Sequence, residues 1–282
     1  MTFDPNNVAS YYDELGESEI ERWNKGVYAR LQKALYCWHL RRRVRPGDVV
    51  LDAGCGPGTF TRELLAIGAE VICLDISPAQ LQLCAKNAPL AADYVVGSIT
   101  DLSSFHDSQF DVTIALGGPL SYCFDQARIA ARELVRVTRP GGTVGASVMN
   151  LYGTIHRILP TLLDVAPATS RQLLDTGDMP ERMPTTDGGT SAFSNAPIGH
   201  RLHLFRLEEF RALLDDSGLL DIEVSAAGWI TAIHELDIAD SPECWEQLLE
   251  IELEAGAESP GAGTSMLAWG TVPLRLPQPS LK

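Results

Sequence analysis

The stretch Val49–Ser77 reads VVLDAGCGPGTFTRELLAIGAEVICLDIS. An apolar run of strand character, Val49–Ala53, enters a glycine-rich turn. Thr59 to Ile67 has helical periodicity and stops at Gly68, and Glu70–Asp75 is a second strand. Many nucleotide-binding folds begin with such a unit, so the ligand is decided by what the turn contains. Gly54-Cys55-Gly56-Pro57-Gly58 is GxGxG rather than GxGxxG, and it lacks the lysine of a phosphate-binding loop. Glycine here permits positive φ and lets a ligand approach the backbone. Asp52, ending the first strand, repels a diphosphate and suits an ammonium group. Asp75, ending the second, suits the two hydroxyls of a ribose. The turn reads as a site for a cationic, phosphate-free ligand.

Outward from this unit, strand and helix keep alternating. Ser77-Pro78 is an N-cap followed by proline at the first helical position, opening a helix to about Asn87. Tyr94–Gly97 and Phe110–Leu116 are the third and fourth strands. Asp125 is placed to cap a helix with Ala127, Ala130, Ala131, Leu134 and Val137 on one apolar face. The turn RPGG leads into a fifth strand, Thr143–Met149. Leu207–Asp216 is an amphipathic helix, and Asp221–Ala227 and Ser265–Val272 are strands. Upstream, Ile20, Trp23, Val27, Leu31, Leu35 and Trp38 predict one helix over 16–40. The alternation implies βαβ units and a mostly parallel, doubly wound α/β sheet.

Two stretches break the pattern: an irregular one, 150–206, and 229–264, which contains a helix from Pro242 to Ala255. Insertions of this length usually form lids, so both are expected to cover the carboxyl ends of the strands. The predicted organisation is an N-terminal helical cap (1–47), a ligand-binding core (48–149), an inserted substrate cover (150–206) and a C-terminal part of the core (207–282) carrying the second cover.

The 282 residues are 45% hydrophobic and 21% charged, with a formal net charge of −15. That sign disfavours nucleic acid and anionic membranes, which bind through lysine and arginine. The single basic cluster, Arg41-Arg42-Arg43-Val44-Arg45, sits at a helix end where cations suit the dipole. No segment approaches the ~20 apolar residues of a membrane helix, and MTFDPNNVAS has no signal-peptide character. The six cysteines form no CxxC pair and read as reduced, buried thiols of a cytoplasmic protein, with no metal cluster at ligand spacing. No feature selects an oligomeric state.

VVLDAGCGPGTF, VICLDIS, FDVTIALGG and RVTRPGGTV together resemble the successive motifs of class I S-adenosylmethionine-dependent methyltransferases of small-molecule type. The likeness is dense over 48–149 and looser through LFRLEEFRALLDDSGLLDIEV. It implies a Rossmann-like seven-stranded sheet whose last strand, SMLAWGTVP, is antiparallel, and S-adenosyl-L-methionine as cofactor. It further implies that Asp52 and the backbone of Gly54 and Gly56 hold the methionine end. Gly58 would permit close helix packing, Asp75 would grip the ribose, and Ile76 would lie against the adenine. The family's Gly-Asp pair after the third strand is Gly97-Ser98-Ile99 here, leaving Ser98 to accept from the adenine amino group. Leu116 and Gly117 would offer backbone to the methionine moiety. Tyr11 and Tyr12 resemble N-terminal tyrosines that cap the methyl-donor pocket, with packing of the first helix as the alternative.

Methyl transfer requires alignment, exclusion of water and, for a protonated acceptor, a base. Tyr122, in GGPLSYCF, is a candidate for lining the acceptor site. His203, His200 and His156 are the candidate bases, His203 being preferred because its side of GHRLHLF is shared with Arg201 and Phe205. Tyr152 and His156 would share a helical face. From Glu235 to Glu258 there are nine acids and no lysine or arginine, a solvated face or a field that draws an amine. The reading is an enzyme that methylates a small molecule. A non-catalytic S-adenosylmethionine-binding module and an NAD-dependent oxidoreductase on the same sheet are the alternatives.

Overall fold

The computed structural model describes residues 1–165, 167–179, 201–230 and 242–274, with the backbone alone for 159–165 and 167–170. In chain order it contains α1 (Pro5–Leu15), α2 (Ser18–Arg22), α3 (Gly26–Arg43), β1 (Val49–Ala53), α4 (Thr61–Ile67), β2 (Glu70–Asp75), α5 (Pro78–Asn87), β3 (Asp93–Val96) and β4 (Phe110–Ala115). After two short 3-10 turns come α6 (Ala127–Val137), β5 (Thr138–Met149), α7 (Leu151–Val165), α8 (Pro167–Thr176), α9 (Leu207–Asp216), β6 (Leu220–Ala227), α10 (Pro242–Glu258) and β7 (Ser265–Thr271). The seven strands form one sheet in the order β3-β2-β1-β4-β5-β7-β6. Strands β1 to β5 pair in parallel, and β7 runs antiparallel between β5 and β6.

Strand alternation sorts the core into two faces. Leu51, Leu74, Val144 and Ala268 pack on one side with Leu134 of α6 and Phe210 of α9. Val50, Cys73, Ile114 and Trp269 pack on the other with Leu35 and Tyr36 of α3, Leu64 of α4 and Leu81 of α5. The chain winds from β1 outward through β2 to β3, then returns to start β4 on β1's other side. That reversal leaves a crevice beyond the carboxyl ends of β1 and β4, where such sheets bind ligands.

The helix expected over 16–40 is two helices separated by a turn at Trp23–Lys25, and another helix precedes them. The missed signal was DPNN. Asp4 is extended, its carboxylate accepts from the backbone N–H of Asn6 and Asn7 at 3.0 and 3.2 Å, and Pro5 begins α1. Asp125 does not cap α6. The N-cap position is Gln126, and the Asp125 carboxylate accepts instead from the N–H of Phe3 at 2.8 Å. Strand β5 starts five residues early because RPGG forms an irregularity within the ladder to β4 rather than a turn before it. Ser77 does cap α5, accepting from Gln80 N at 3.1 Å.

Both insertions contain helices. The described part of 150–206 is mainly α7 and α8, which close a small cluster of Leu151, Ile158, Leu173, Met179, Leu202 and Leu204. In 229–264, α10 lies along β6 and α3: Leu248 is buried, Leu249 and Leu253 turn inward, and Glu243, Glu246, Glu250 and Glu254 face solvent. Gly256 makes this packing possible, because a Cβ there would stand 2.6 Å from the carbonyl oxygen of Ala226. Glu252 points inward, accepting from the N–H of Ile230 at 3.1 Å and from that of Trp229. This helix covers the sheet face, not the strand ends.

Candidate active site

A cavity enclosing about 750 Å³ of non-atom space, partly open to solvent, lies at the switch point. Its floor is the glycine turn. Gly54, Gly56 and Gly58 have φ of +86°, +52° and +85°, values that side-chain-bearing residues rarely adopt. The backbone N–H groups of Gly54 and Cys55 both donate to the carbonyl of Leu74, at 2.7 and 3.0 Å, which folds the turn back on β2. A Cβ on Gly56 would meet no atom within 4 Å and project into the cavity, so the bare backbone there is what a ligand can approach. Gly58 is not in the wall. It lets the turn sit against α5, where a Cβ would be 3.0 Å from Cys84 Sγ.

Asp75 lines the cavity at the end of β2. Its Oδ2 accepts from Gly56 N at 2.7 Å and its Oδ1 from Ser77 N at 2.9 Å, so both oxygens are held while lone pairs remain for a ligand. Burial pushes its pKa up to about 6, against the lowering effect of those two N–H donors. Ile76, Ser98, Ile99, Leu116 and Gly117 share the same wall. Ser98 Oγ sits 2.8 Å from Thr100 Oγ1 and accepts from Thr100 N, a local turn that presents residues 97–99 to the cavity.

Asp52 is brought close to the turn but not into the cavity wall. Alternation along β1 sends its side chain to the same face as Val50, where Thr61 Oγ1 donates to its Oδ2 at 2.7 Å. It is 1% exposed, and burial pushes its pKa to about 7. The expected direct contact with a ligand's ammonium group is therefore corrected: the carboxylate is sealed behind the turn by α4.

Besides Asp75, a second acid lines the cavity from the roof. Glu19 of α2, 5% exposed, lines the cavity and accepts from Arg22 Nε at 3.0 Å. The Arg22 guanidinium also stands 4.6 Å over the Trp23 ring. Phe3, Val8, Tyr12 and Trp23 complete this side. Tyr12 and Tyr122 meet edge to face at 5.5 Å and their hydroxyls are hydrogen-bonded. Burial raises both phenols, Tyr122 to about 12. The roof is tied to the cofactor-side core: Ser77 Oγ donates to Asp13 at 2.5 Å, and Gln80 Nε2 donates to the carbonyls of Tyr12 and Gly16 at 2.8 and 3.0 Å.

His203 is not in the cavity wall. Its Nδ1 lies 2.7 Å from Asp178 and its Nε2 2.8 Å from Glu209. Burial alone would lower its pKa, but the two carboxylates outweigh it and the net shift is upward. A ring hydrogen-bonded to two acids is a clasp joining the end of α8 to the start of α9, and its place outside the cavity wall corrects His203 as the candidate base. His200 lies outside the described residues. His156 and Tyr152 share the solvent side of α7. Among the described residues neither insertion contributes to the wall; α7 and its neighbours back Tyr122 from behind.

One grouping has no trace in the sequence spacing. Cys55, Cys73 and Cys84 come together behind the turn, their sulfurs within 4.8 Å of one another. Spacings of 18, 11 and 29 residues do not announce a cluster; β1–β2 pairing and the docking of α5 create it.

A mixed seven-stranded sheet with a glycine turn and a ribose-competent acid at its switch point defines a Rossmann-like methyltransferase fold. A model of the methyltransferase domain matches residues 50–142. An uncharacterised protein of Mycobacterium tuberculosis is 35% identical over 133 residues, 46% of this chain and 47% of the relative. Demethylmenaquinone methyltransferase of Corynebacterium efficiens is 32% identical over 178 residues, 57% of this chain and 72% of that protein. The match spans about half the length of the mycobacterial relatives. In fold, the chain is similar to a Thermotoga maritima S-adenosylmethionine-dependent methyltransferase described as a possible histamine N-methyltransferase, with TM-score 0.57 and 14% identity over 93% of this chain and 99% of that one. The chain belongs to the class I S-adenosylmethionine-dependent methyltransferase family, whose cofactor is S-adenosylmethionine.

Proposed function

We propose that this protein transfers a methyl group from S-adenosylmethionine to a small molecule held beneath the roof formed by residues 3–23. The observation that carries the reading is that Asp75, held by Gly56 N and Ser77 N, and the Glu19–Arg22 pair line one cavity. Asp75 suits a ribose diol, and Glu19 with Arg22 suits the ammonium and carboxylate of an amino-acid end. Bound there, the cofactor supplies an electrophilic methyl on a sulfonium.

The chain's own contribution is positioning and exclusion of water. The titratable groups of the described wall are Tyr12, Glu19, Arg22, Cys55, Asp75, Tyr122 and Cys123, whose thiol burial pushes up to about 12. Glu19 is paired with Arg22, Asp75 faces the ribose position, and both phenols stay protonated at neutral pH, so they donate hydrogen bonds rather than accept protons. That set suits an acceptor whose nucleophile is neutral with a free lone pair, or already ionised, and transfer by alignment in a desolvated site. The aromatic side of the cavity, Phe3, Tyr12 and Tyr122, suits a planar or apolar acceptor body. Demethylmenaquinone, the acceptor named for one relative, is of that kind. Free thiols, five of them buried, fit work in the cytoplasm, and among the described residues no helix is long and apolar enough to cross a membrane.

The test is turnover with methyl-labelled S-adenosylmethionine and a fractionated metabolite extract, followed by identification of the labelled product. Label in a small apolar or aromatic metabolite supports the reading. Calorimetric binding of S-adenosylhomocysteine with no transfer to any fraction would favour the non-catalytic module.

A further inference from the structure

Behind the glycine turn, Cys73 Sγ and Cys84 Sγ are 3.7 Å apart, and Thr61 Oγ1 is 3.7 Å from each. Cys55 Sγ lies within 4.8 Å of both other sulfurs. All four side chains are buried. Three equal edges of 3.7 Å are close to those of a tetrahedron whose sulfur vertices lie ~2.3 Å from a central zinc, for which an edge is about 3.8 Å. Thr61 donates in turn to the Asp52 carboxylate at 2.7 Å, the arrangement by which a second carboxylate orients a ligand. An entry path exists because Cys55 also lines the cavity.

We propose that Cys55, Cys73 and Cys84, with Thr61 as fourth ligand and Asp52 behind it, form a binding site for one thiophilic divalent cation of the zinc and cadmium type. Binding forms three metal–sulfur bonds and one metal–oxygen bond. The three thiols lose their protons to solvent, no electrons move, and the dication with three thiolates carries a charge of −1. Such an ion would join the glycine turn, β2 and α5, the three pieces that place Gly54, Gly56 and Asp75. The inference does not depend on the methyl-transfer reading, since binding is measured without cofactor or acceptor.

The experiment titrates Cd²⁺ into the fully reduced, full-length protein under anaerobic conditions and follows thiolate-to-cadmium absorption. One equivalent should saturate it. Cys84→Ser and Cys73→Ser should each weaken binding about 100-fold and Asp52→Asn about tenfold, while Cys37→Ser, Cys123→Ser and Cys244→Ser leave it unchanged. Should the serine variants not fold, alkylation of the wild-type protein in mild denaturant decides. Cys55, Cys73 and Cys84 should all be protected by Cd²⁺, with exposed Cys244 modified equally with and without the ion. Absence of the band, a band lost with Cys244, or no protection of the three thiols overturns the proposal. So does recovery of a Cys73–Cys84 disulfide in place of a bound ion, which would make the group a redox pair.

Discussion

The floor and the roof of the cavity differ in how they are made. The floor is two short runs, residues 54–57 and 75–76, whose backbone carries the binding geometry. The roof is a set of side chains on and beside α1 and α2, from Phe3 to Trp23, set in place by contacts with distant parts of the chain. A floor of backbone tolerates little change, because positive φ and close approach are properties of single positions.

The largest effect should come from the floor. Gly54→Ala places a Cβ 2.7 Å from Pro119 Cγ at a residue with φ +86°, combining strain with overpacking. It should cost ~3 kcal/mol of stability and abolish S-adenosylhomocysteine binding, measured by denaturation and calorimetry. A wild-type affinity in this variant would mean that the turn is not the floor of the ligand site.

Asp75→Ala should weaken S-adenosylhomocysteine by about tenfold to a hundredfold through loss of charged hydrogen bonds. The ionised carboxylate is the form that accepts from ribose hydroxyls, and its pKa stands near 6 in the free protein. Wild-type affinity should therefore hold steady above that pH and fall as pH drops through it. Asp75→Asn should flatten this dependence, and calorimetry between pH 5 and 8 reads both.

The roof is tested by a difference. Glu19→Gln should weaken S-adenosylhomocysteine about tenfold and leave methylthioadenosine, which lacks the amino-acid end, unchanged. Equal losses for both ligands would place Glu19 away from the amino-acid end and break the division between floor and roof.

His203→Ala should have the smallest effect, with methyl transfer unchanged. Its folded-state pKa is raised by Asp178 and Glu209. Its stabilising contribution is then fully present below the ordinary histidine value and is lost as pH rises through the raised one. The variant should lose ~1 kcal/mol at pH 5.5 and much less at pH 9. Loss of activity at unchanged stability would restore His203 as a base.

What could be read in advance follows the same division. Strands β1 and β2, helix α5 with its Ser77 cap, and Asp75 at the end of β2 belong to local patterns of apolar period, caps and glycine, whereas the wall residues Ile76, Ser98, Ile99, Leu116 and Gly117 were legible through the motif resemblance. Tyr12 and Tyr122 were legible as candidates, though not as neighbours. Glu19 and Arg22 were not, because an acid and a base three residues apart on a short helix look like any solvated pair. Asp52 was read in the right place with the wrong outlook, since strand alternation, not proximity to the turn, decides which face a side chain takes.

The order of apolar runs and the phosphate-averse turn determined by themselves that this chain folds as a doubly wound sheet with a site for a cationic ligand, and the resemblance of its motifs supplied the methyltransferase type. Only the tertiary structure decided that α1 and α2 close the site, that His203 is engaged elsewhere and that three thiols meet behind the turn. The reason is physical: periodicity and backbone conformation are written within a few residues. Burial, pairing and contact across tens of residues exist only once the sheet has brought them together.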